Sequence, residues 1–371
     1  METLFPITIA MGEAFCNRVE ERKMLAEYLK HGRHSVLMAA RRYGKTSLIN
    51  QVLLESKLPN TIMEFTLATS VKDIERIISK HVSELVLELL PKTSQAKHRI
   101  LNLFKWLNPE LTLTIGGQKL VFNTNHNKST VENIAEILKK LDEAAASVKK
   151  RVVIVMDEFQ ELNNISDHNI EAAIRHAMQY SRYVTYVFLG SNRHLLQDMF
   201  NSKNRPFYNS CEIIALERIE QNEYENFIQA AAKQKWKKAI PQEVLNCIFQ
   251  LSELHPSHVN RLCGYFWLTN IFPTVAACEE YWNLFIKSKR TEFTEDISNL
   301  SNHQKKILAY LAKNPTSSPS SAEVCQSLEI PESSVRLAIK ALLLKDYLYK
   351  DHHSIVKILD PAFKAYLSDF S

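Results

Sequence analysis

Glycine is scarce in this sequence, with 7 residues in 371, well below the roughly 7% of an average protein. So few glycines favour helix, whose interior a glycine weakens, and leave little left-handed backbone to spend on tight turns. Cysteines are few and scattered: Cys16, Cys211, Cys247, Cys263, Cys278 and Cys325 contain no C-x-x-C pair. That excludes a sequence-local zinc site and a dense disulfide framework, and reads as reduced thiols in a reducing compartment. Uninterrupted apolar runs approaching the ~18 residues of a membrane span are missing. Residues 1–15 lack a basic leader and carry Glu2 and Glu13, so they do not read as a secretory signal, and the expected location is the cytoplasm. A dominant charge is lacking too. The 46 Lys and Arg against 41 Asp and Glu leave +5, which permits contact with nucleic acid or anionic ligands without arguing for it.

What is present is ordinary globular material, 45% hydrophobic and 23% charged, in a chain long enough for two or three domains. Helical spacing runs over residues 19–30, followed by a short apolar strand at 35–39, a loop at 41–45 and a helix over 46–54. Residues 61–67 alternate as a strand, and 70–107 are helical. Residues 111–122, with Gly116 and Gly117 in the middle, read as an inserted hairpin. A polar loop at 123–129 precedes an amphipathic helix at 130–148. The continuous apolar run 152–156 is bounded by charge on both sides, as in a strand buried on both faces of a parallel sheet. A helix at 169–180, a strand at 183–189 ending at Gly190, and a last strand at 211–216 complete an alternating pattern. It predicts an α/β domain with a parallel sheet. After about Glu217 the strands stop. Residues 218–290 read as short helices broken at Pro241, Pro256 and Pro273. Residues 300–371 read as three helices, with a Pro-Ser turn after the first, and two short strands.

The segment Ala39-Ala40-Arg41-Arg42-Tyr43-Gly44-Lys45-Thr46-Ser47 leaves a predicted strand and opens a predicted helix, the context of a Walker A phosphate loop. Backbone N–H groups and the positive end of the helix hold phosphate in such a loop. Gly44 frees the backbone, Lys45 is placed to reach the β- and γ-phosphates of ATP, and the Thr46 hydroxyl is a Mg²⁺ ligand. Ala39 stands where the pattern has its first glycine, and fits if its φ stays negative. The second half of the site is the apolar run 152–156 followed by Asp157-Glu158, a Walker B pattern. Asp157 belongs near the metal, and Glu158 orients and polarises the attacking water. After the next strand come Gly190-Ser191-Asn192. Asn192, or Ser191, is the candidate sensor of the γ-phosphate, and the competing role for Asn192 is a helix N-cap.

With these motifs the chain resembles AAA+-type P-loop ATPases of the archaeal ATPase family, related to the STAND and origin-recognition ATPases. Phe15-Cys16-Asn17-Arg18 resembles the family's Phe-x-Gly-Arg, with Asn17 for glycine. Residues 41–49 look like its double-arginine P-loop, in which a non-glycine first position is familiar. Arg205-Pro206-Phe207-Tyr208 resembles the segment after the sensor strand, and Leu254-His255-Pro256 falls where the family has Gly-His-Pro. The resemblance implies that His255 and Pro256 lie in a helical lid near the adenine. Many relatives carry Tyr-Gly-Arg, whose arginine acts as a finger; here the residues are Tyr208-Asn209-Ser210, leaving Arg193 and Arg205 as substitutes. The organisation expected is therefore a parallel-sheet P-loop NTPase core over 1–217 with an insert at about 70–128, a helical lid over 218–299 and a winged-helix domain over 300–371.

In the C-terminal region, residues 334–345 are the expected recognition helix. Ser333, Ser334, Arg336 and Lys340 are candidate contacts to duplex DNA, although charge there is nearly balanced. These features predict an ATPase that hydrolyses ATP slowly, with Mg²⁺, and acts as a nucleotide-dependent switch. The alternatives are a DNA-binding protein using ATP as a structural or regulatory ligand, or a protein-interaction scaffold. A protein partner or homo-oligomer is expected, and no membrane.

Overall fold

The computed structural model of the protein describes residues 4–91, 94–107, 109–114, 117–122, 129–165, 169–351 and 353–369. Its contacts group the chain into two compact units that do not follow chain order. One comprises Val19–Ala39 and Leu48–Leu216; the other comprises the residues up to Arg18, Ala40–Ser47 and those from Glu217 onward.

The first unit is built on a parallel sheet. Helix α1 (Val19–His31) precedes β1 (Ser35–Met38), and α2 (Lys45–Ser56) leads to β2 (Asn60–Glu64). Then come α3 (Val71–Leu89), α4 (Ser94–Leu103), a hairpin of β3 (Pro109–Thr114) and β4 (Gly117–Phe122), and α5 (Thr130–Ser147). The run ends with β5 (Val152–Asp157), α6 (Asn169–Tyr180), β6 (Val184–Gly190), α7 (Arg193–Asn201) and β7 (Glu212–Ala215). The strand order is β2-β5-β6-β1-β7, and every pairing is parallel. The inner strands β1 and β6 are buried along their whole length, and β5 up to its final acid, which is why they appear in sequence as unbroken apolar runs. Register puts Met38 beside Gly190 and Met156 beside Phe188. The ends of β1, β6 and β5 therefore share one carboxyl edge, with β6 between the other two.

The insert expected at 70–128 is less peripheral than its hairpin suggests. Ile74, Ile78, Val82, Leu85, Val86 and Leu89 of α3 are buried in the same core as the sheet, and so are Leu120 and Phe122 of β4. Phe122 stacks on Phe104 with ring centroids 4.8 Å apart. The turn residue Gly116 and most of the polar loop, 123–128, lie outside the described residues. Ser129 opens α5 with a reciprocal capping box to Glu132, which satisfies donors at the helix start.

The second unit is helical. It contains α8 (Gln221–Trp236), α9 (Gln242–Ser252), α10 (Pro256–Thr269), α11 (Val275–Ser288) and α12 (Arg290–Ser298). It continues through α13 (Asn302–Lys313), α14 (Ala322–Leu328), α15 (Glu332–Leu344), the antiparallel pair β8 (Leu348–Lys350) and β9 (Val356–Ile358), and α16 (Pro361–Asp369). Three helices, α13 to α15, precede the hairpin of β8 and β9. The terminal α16 was not foreseen: with Pro361 at its first position it begins as proline permits, but it is short and directly follows the expected wing. One apolar core runs from Phe5 through Ile228, Leu262 and Trp282 to Ile307, Leu342 and Leu367. Among the described residues no helix is long and apolar enough to cross a membrane.

Aromatic packing fixes the carboxyl half of the sheet. The Phe188 ring on β6 lies 4.6 Å from Phe159, 5.2 Å from Phe200 and 5.2 Å from Phe207. Phe188→Ala is expected to cost about 3–5 kcal/mol, read as a lowered urea midpoint.

Candidate nucleotide site

Strand β1 runs into Ala39 and Ala40, both buried. The chain then turns, with the Tyr43 N–H donating to the Ala40 carbonyl at 3.3 Å, and α2 begins at Lys45. Arg42 has φ +64° and Gly44 has φ +89°. A Cβ added at Gly44 would meet nothing within 4 Å, so glycine is needed there for its left-handed backbone and not for space. Ala39 is not among the left-handed residues, and alanine is accommodated. Lys45 is 7% exposed at the N-terminus of α2, where backbone N–H groups and the helix dipole favour anions. A cavity of about 270 Å³ lies over the loop. It is lined by Arg42 to Ser47, by residues 6–10 and 14–16, and by Tyr224, Pro256, Ser257 and Asn260. The N-terminal segment is tied to the loop, since the Ala10 N–H donates to the Ser47 hydroxyl at 3.0 Å.

Tyr43 is gripped from two sides. The Arg18 guanidinium, 5% exposed, donates to the Tyr43 carbonyl at 3.0 Å and to the Glu217 carbonyl at 2.7 Å. Asn17 and Arg18 have φ +53° and +51°. The glycine that the resembled family has at position 17 is thus a left-handed position, which asparagine adopts more readily than most residues. The Tyr43 hydroxyl accepts from Arg218 Nε at 3.1 Å, and its buried ring meets His255 edge-on at 5.2 Å. Arg218 also donates through Nη1 to the carbonyl and carboxylate of Glu253, and through Nη2 to the Leu359 carbonyl at 3.2 Å. Its cation lies 4.9 Å from the Tyr349 ring centre. Glu253 binds Lys364 as well. Sequence reasoning missed Arg218: a lone arginine after a strand carries no motif, and only the fold brings its partners together.

Glu253 and Leu254 have φ +47° and +59°, so the turn that opens Gly-His-Pro in relatives is left-handed here on a leucine. His255 then caps α10, with Pro256 at the first helical position. Pro256 lines the cavity, whereas His255 stands beneath it against Tyr43. His258 Nε2 is 2.8 Å from Asp360 Oδ1. Burial pushes His255 well below the ordinary histidine value, and His258 adds to the shift. Burial opposes ionisation of Asp360, yet the hydrogen bond and charge of His258 hold it well below the usual carboxylate range.

The acidic strand end belongs to the sheet unit. Asp157 closes β5, and its Oδ1 accepts from the Glu158 N–H at 2.9 Å. Glu158 is left-handed, at φ 52° and ψ 41°. Its Oε2 accepts from the Ser191 N–H at 3.2 Å, from the Ser191 hydroxyl at 2.8 Å and from Gln160 Nε2. Asn192 caps α7, its Oδ1 accepting from the Leu195 N–H at 3.1 Å. The finger substitutes are engaged internally. Arg205 binds Glu171 at 2.8 Å and also Asn163, and Arg193 donates to the Leu216 carbonyl at 2.7 Å. In the C-terminal region, Ser333, Arg336 and Lys340 of α15 are exposed and Ser334 is half-buried. Arg336 Nε is 2.9 Å from Glu332, and Leu337, between the two cations, is 70% exposed.

The sheet order and the helical continuation form a fold that the chain shares with solved ATPase structures. Among solved structures, the Walker-type ATPase PABY2304 of Pyrococcus abyssi is similar at TM-score 0.70 and 16% identity, over 98% of this chain and 99% of that one. The ORC2 protein of Aeropyrum pernix is similar in its ADPNP–ADP complexes at TM-score 0.56 and 12% identity, over 99% and 96% of the two chains. Its ADP form gives TM-score 0.54 at 11% identity, over 98% of each. No protein-family model matches the chain, and no curated protein matches it in sequence.

The buried histidine gives the helical unit a pH dependence. The folded-state pKa of His255 lies below its unfolded value, so the unfolded chain takes up the proton first. Its contribution is complete above about pH 6.5 and is lost as pH falls toward the depressed value, by up to about 1.4 kcal/mol per pH unit. Denaturation midpoints measured at pH 7 and pH 5 should fall in the native protein and fall less in His255→Gln.

Proposed function

We propose that this protein is a nucleotide-dependent switch that binds ATP in the loop at residues 39–47 and hydrolyses it slowly. The observation that carries the reading is the path from Tyr43 in that loop through Arg218 to the Leu359 carbonyl, between β9 and α16. A loop that moves on binding phosphate pulls on Arg218, and through it on the C-terminal region. A half-buried cation with several partners transmits such changes, because loss of one partner leaves its charge less well compensated.

The site fits a Mg²⁺-nucleotide. The left-handed Arg42 and Gly44, the buried Lys45 and the helix start suit a triphosphate. Lys45 holds the β- and γ-phosphates. Thr46 is the metal ligand of the loop, and Asp157, the last residue of β5, is the acidic metal ligand. Mg²⁺, when bound, supplies charge that offsets the developing negative charge on the phosphate oxygens. Glu158 positions and polarises the attacking water, and Asn192 or Ser191 senses the γ-phosphate. Pro256 and the N-terminal segment face the base, with His255 supporting the loop from behind. The ADPNP–ADP complexes of the Aeropyrum protein support nucleotide as the ligand. Slow turnover is supported by the internal pairing of Arg205 and Arg193.

The exposed face of α15 is the proposed partner surface. Leu337, with Arg336 already paired to Glu332, favours a protein partner or a second copy over duplex DNA. DNA contact through Ser333, Ser334, Arg336 and Lys340 is the second reading, supported by the exposed Lys340.

Two substitutions test the proposal. Lys45→Ala should abolish ATP binding by calorimetry, and wild-type affinity in that variant sinks it. In the native protein, ATP should slow hydrogen exchange of β9 and α16. Arg218→Met keeps the apolar stem and should bind ATP with that slowing lost.

A further inference from the structure

The predicted base, Glu158, has supports that the sequence did not reveal. Gln160 follows it by two residues in a 3₁₀ turn over Phe159–Asn164 and is only 3% exposed. Its amide nitrogen donates to Glu158 Oε2, the oxygen that also accepts from the Ser191 N–H and hydroxyl. Gln160 Oε1 is buried with no hydrogen-bond partner among the described residues. It faces Gly190, where an added Cβ would lie 2.0 Å from that oxygen and 2.8 Å from Leu196 Cδ1. Gly190 has no positive φ to require glycine, so its absent side chain serves the space that Gln160 fills. The last residue of β6 and a buried amide thus fit one another, and the carboxylate rests on both.

We propose that Gln160, seated in the space left by Gly190, is a positioning residue that orients the Glu158 carboxylate for ATP hydrolysis. This rests on the reading of Glu158 as the water-polarising base. Glu158 is held in a left-handed backbone conformation that costs free energy unless neighbours fix it. Donors on a single carboxylate oxygen set its rotation, and so the direction in which it meets the attacking water. Gln160 touches neither substrate nor metal in this account, and it acts through Glu158.

The test is ATP turnover by Gln160→Met, which keeps length and burial but removes the donor. Expected are a kcat lowered about tenfold, as for a misplaced catalytic group, and a KM for ATP within about twofold of wild type, because the phosphate loop is untouched. A role in packing alone lowers stability without splitting kcat from KM in this way. Gly190→Ala, which keeps every donor but displaces the Gln160 amide, should give the same split. Combined with Gln160→Met it should add less than the two singles do in sum. Glu158→Gln is measured alongside. If it loses turnover while Gln160→Met keeps the wild-type kcat, the inference is overturned and the base stands. If Glu158→Gln retains turnover, the reading of the base falls and this inference with it.

Discussion

The helical unit depends on the confinement of Tyr43 between two guanidinium groups, Arg18 buried and Arg218 half-buried. Arg18 takes its carbonyl and Arg218 its hydroxyl. Removing such cations from water is costly unless nearly every donor finds an acceptor, and here the acceptors are backbone carbonyls at Glu217, Glu253 and Leu359. These carbonyls sit in segments far apart in sequence. Satisfying two arginines therefore fixes the N-terminal segment, the loop at residues 40–47, the turn at Glu253 and the C-terminal hairpin against one another. Left-handed backbone at residues 17, 18, 42, 253 and 254 is strained for side chains of this size, and it persists because these bonds over-determine it.

Much of the sheet was legible because its physics is local. The inner strands are buried along their length, and short, mainly apolar runs, flanked by charge at β5, declare this directly. The helices of the 218–290 region announced themselves through prolines at their breaks. The loop between β1 and α2 was legible as a turn because its glycine, lysine and threonine are contiguous. What stayed hidden is non-local or short. Arg218 and Gln160 carry no spacing signature: the partners of Arg218 lie up to 175 residues away, and the space that Gln160 fills is left by Gly190 on another strand. Helix α16 was missed because nine residues after a wing offer little periodicity. The grouping of residues 40–47 with the lid is a property of packing that no local pattern announces.

Substituted glycines illustrate how a family pattern and its physics separate. At positions 17 and 254 the resembled family has glycine, and this chain has Asn17 and Leu254 with φ still positive. The backbone kept its shape while the residue that makes that shape easy was replaced. Ala39 is the opposite case: a glycine position in the pattern where the backbone here does not need one.

A single apolar core joins Phe5, α8–α11 and the C-terminal helices, and Thr294 and Asp296 of α12 reach across to Tyr366 and Tyr347. The last seventy residues are therefore not a bead on a string. Severed from the lid, they would bare one side of a shared interior and become sticky, so a truncated clone of that segment is a poor proxy for the module in the intact chain.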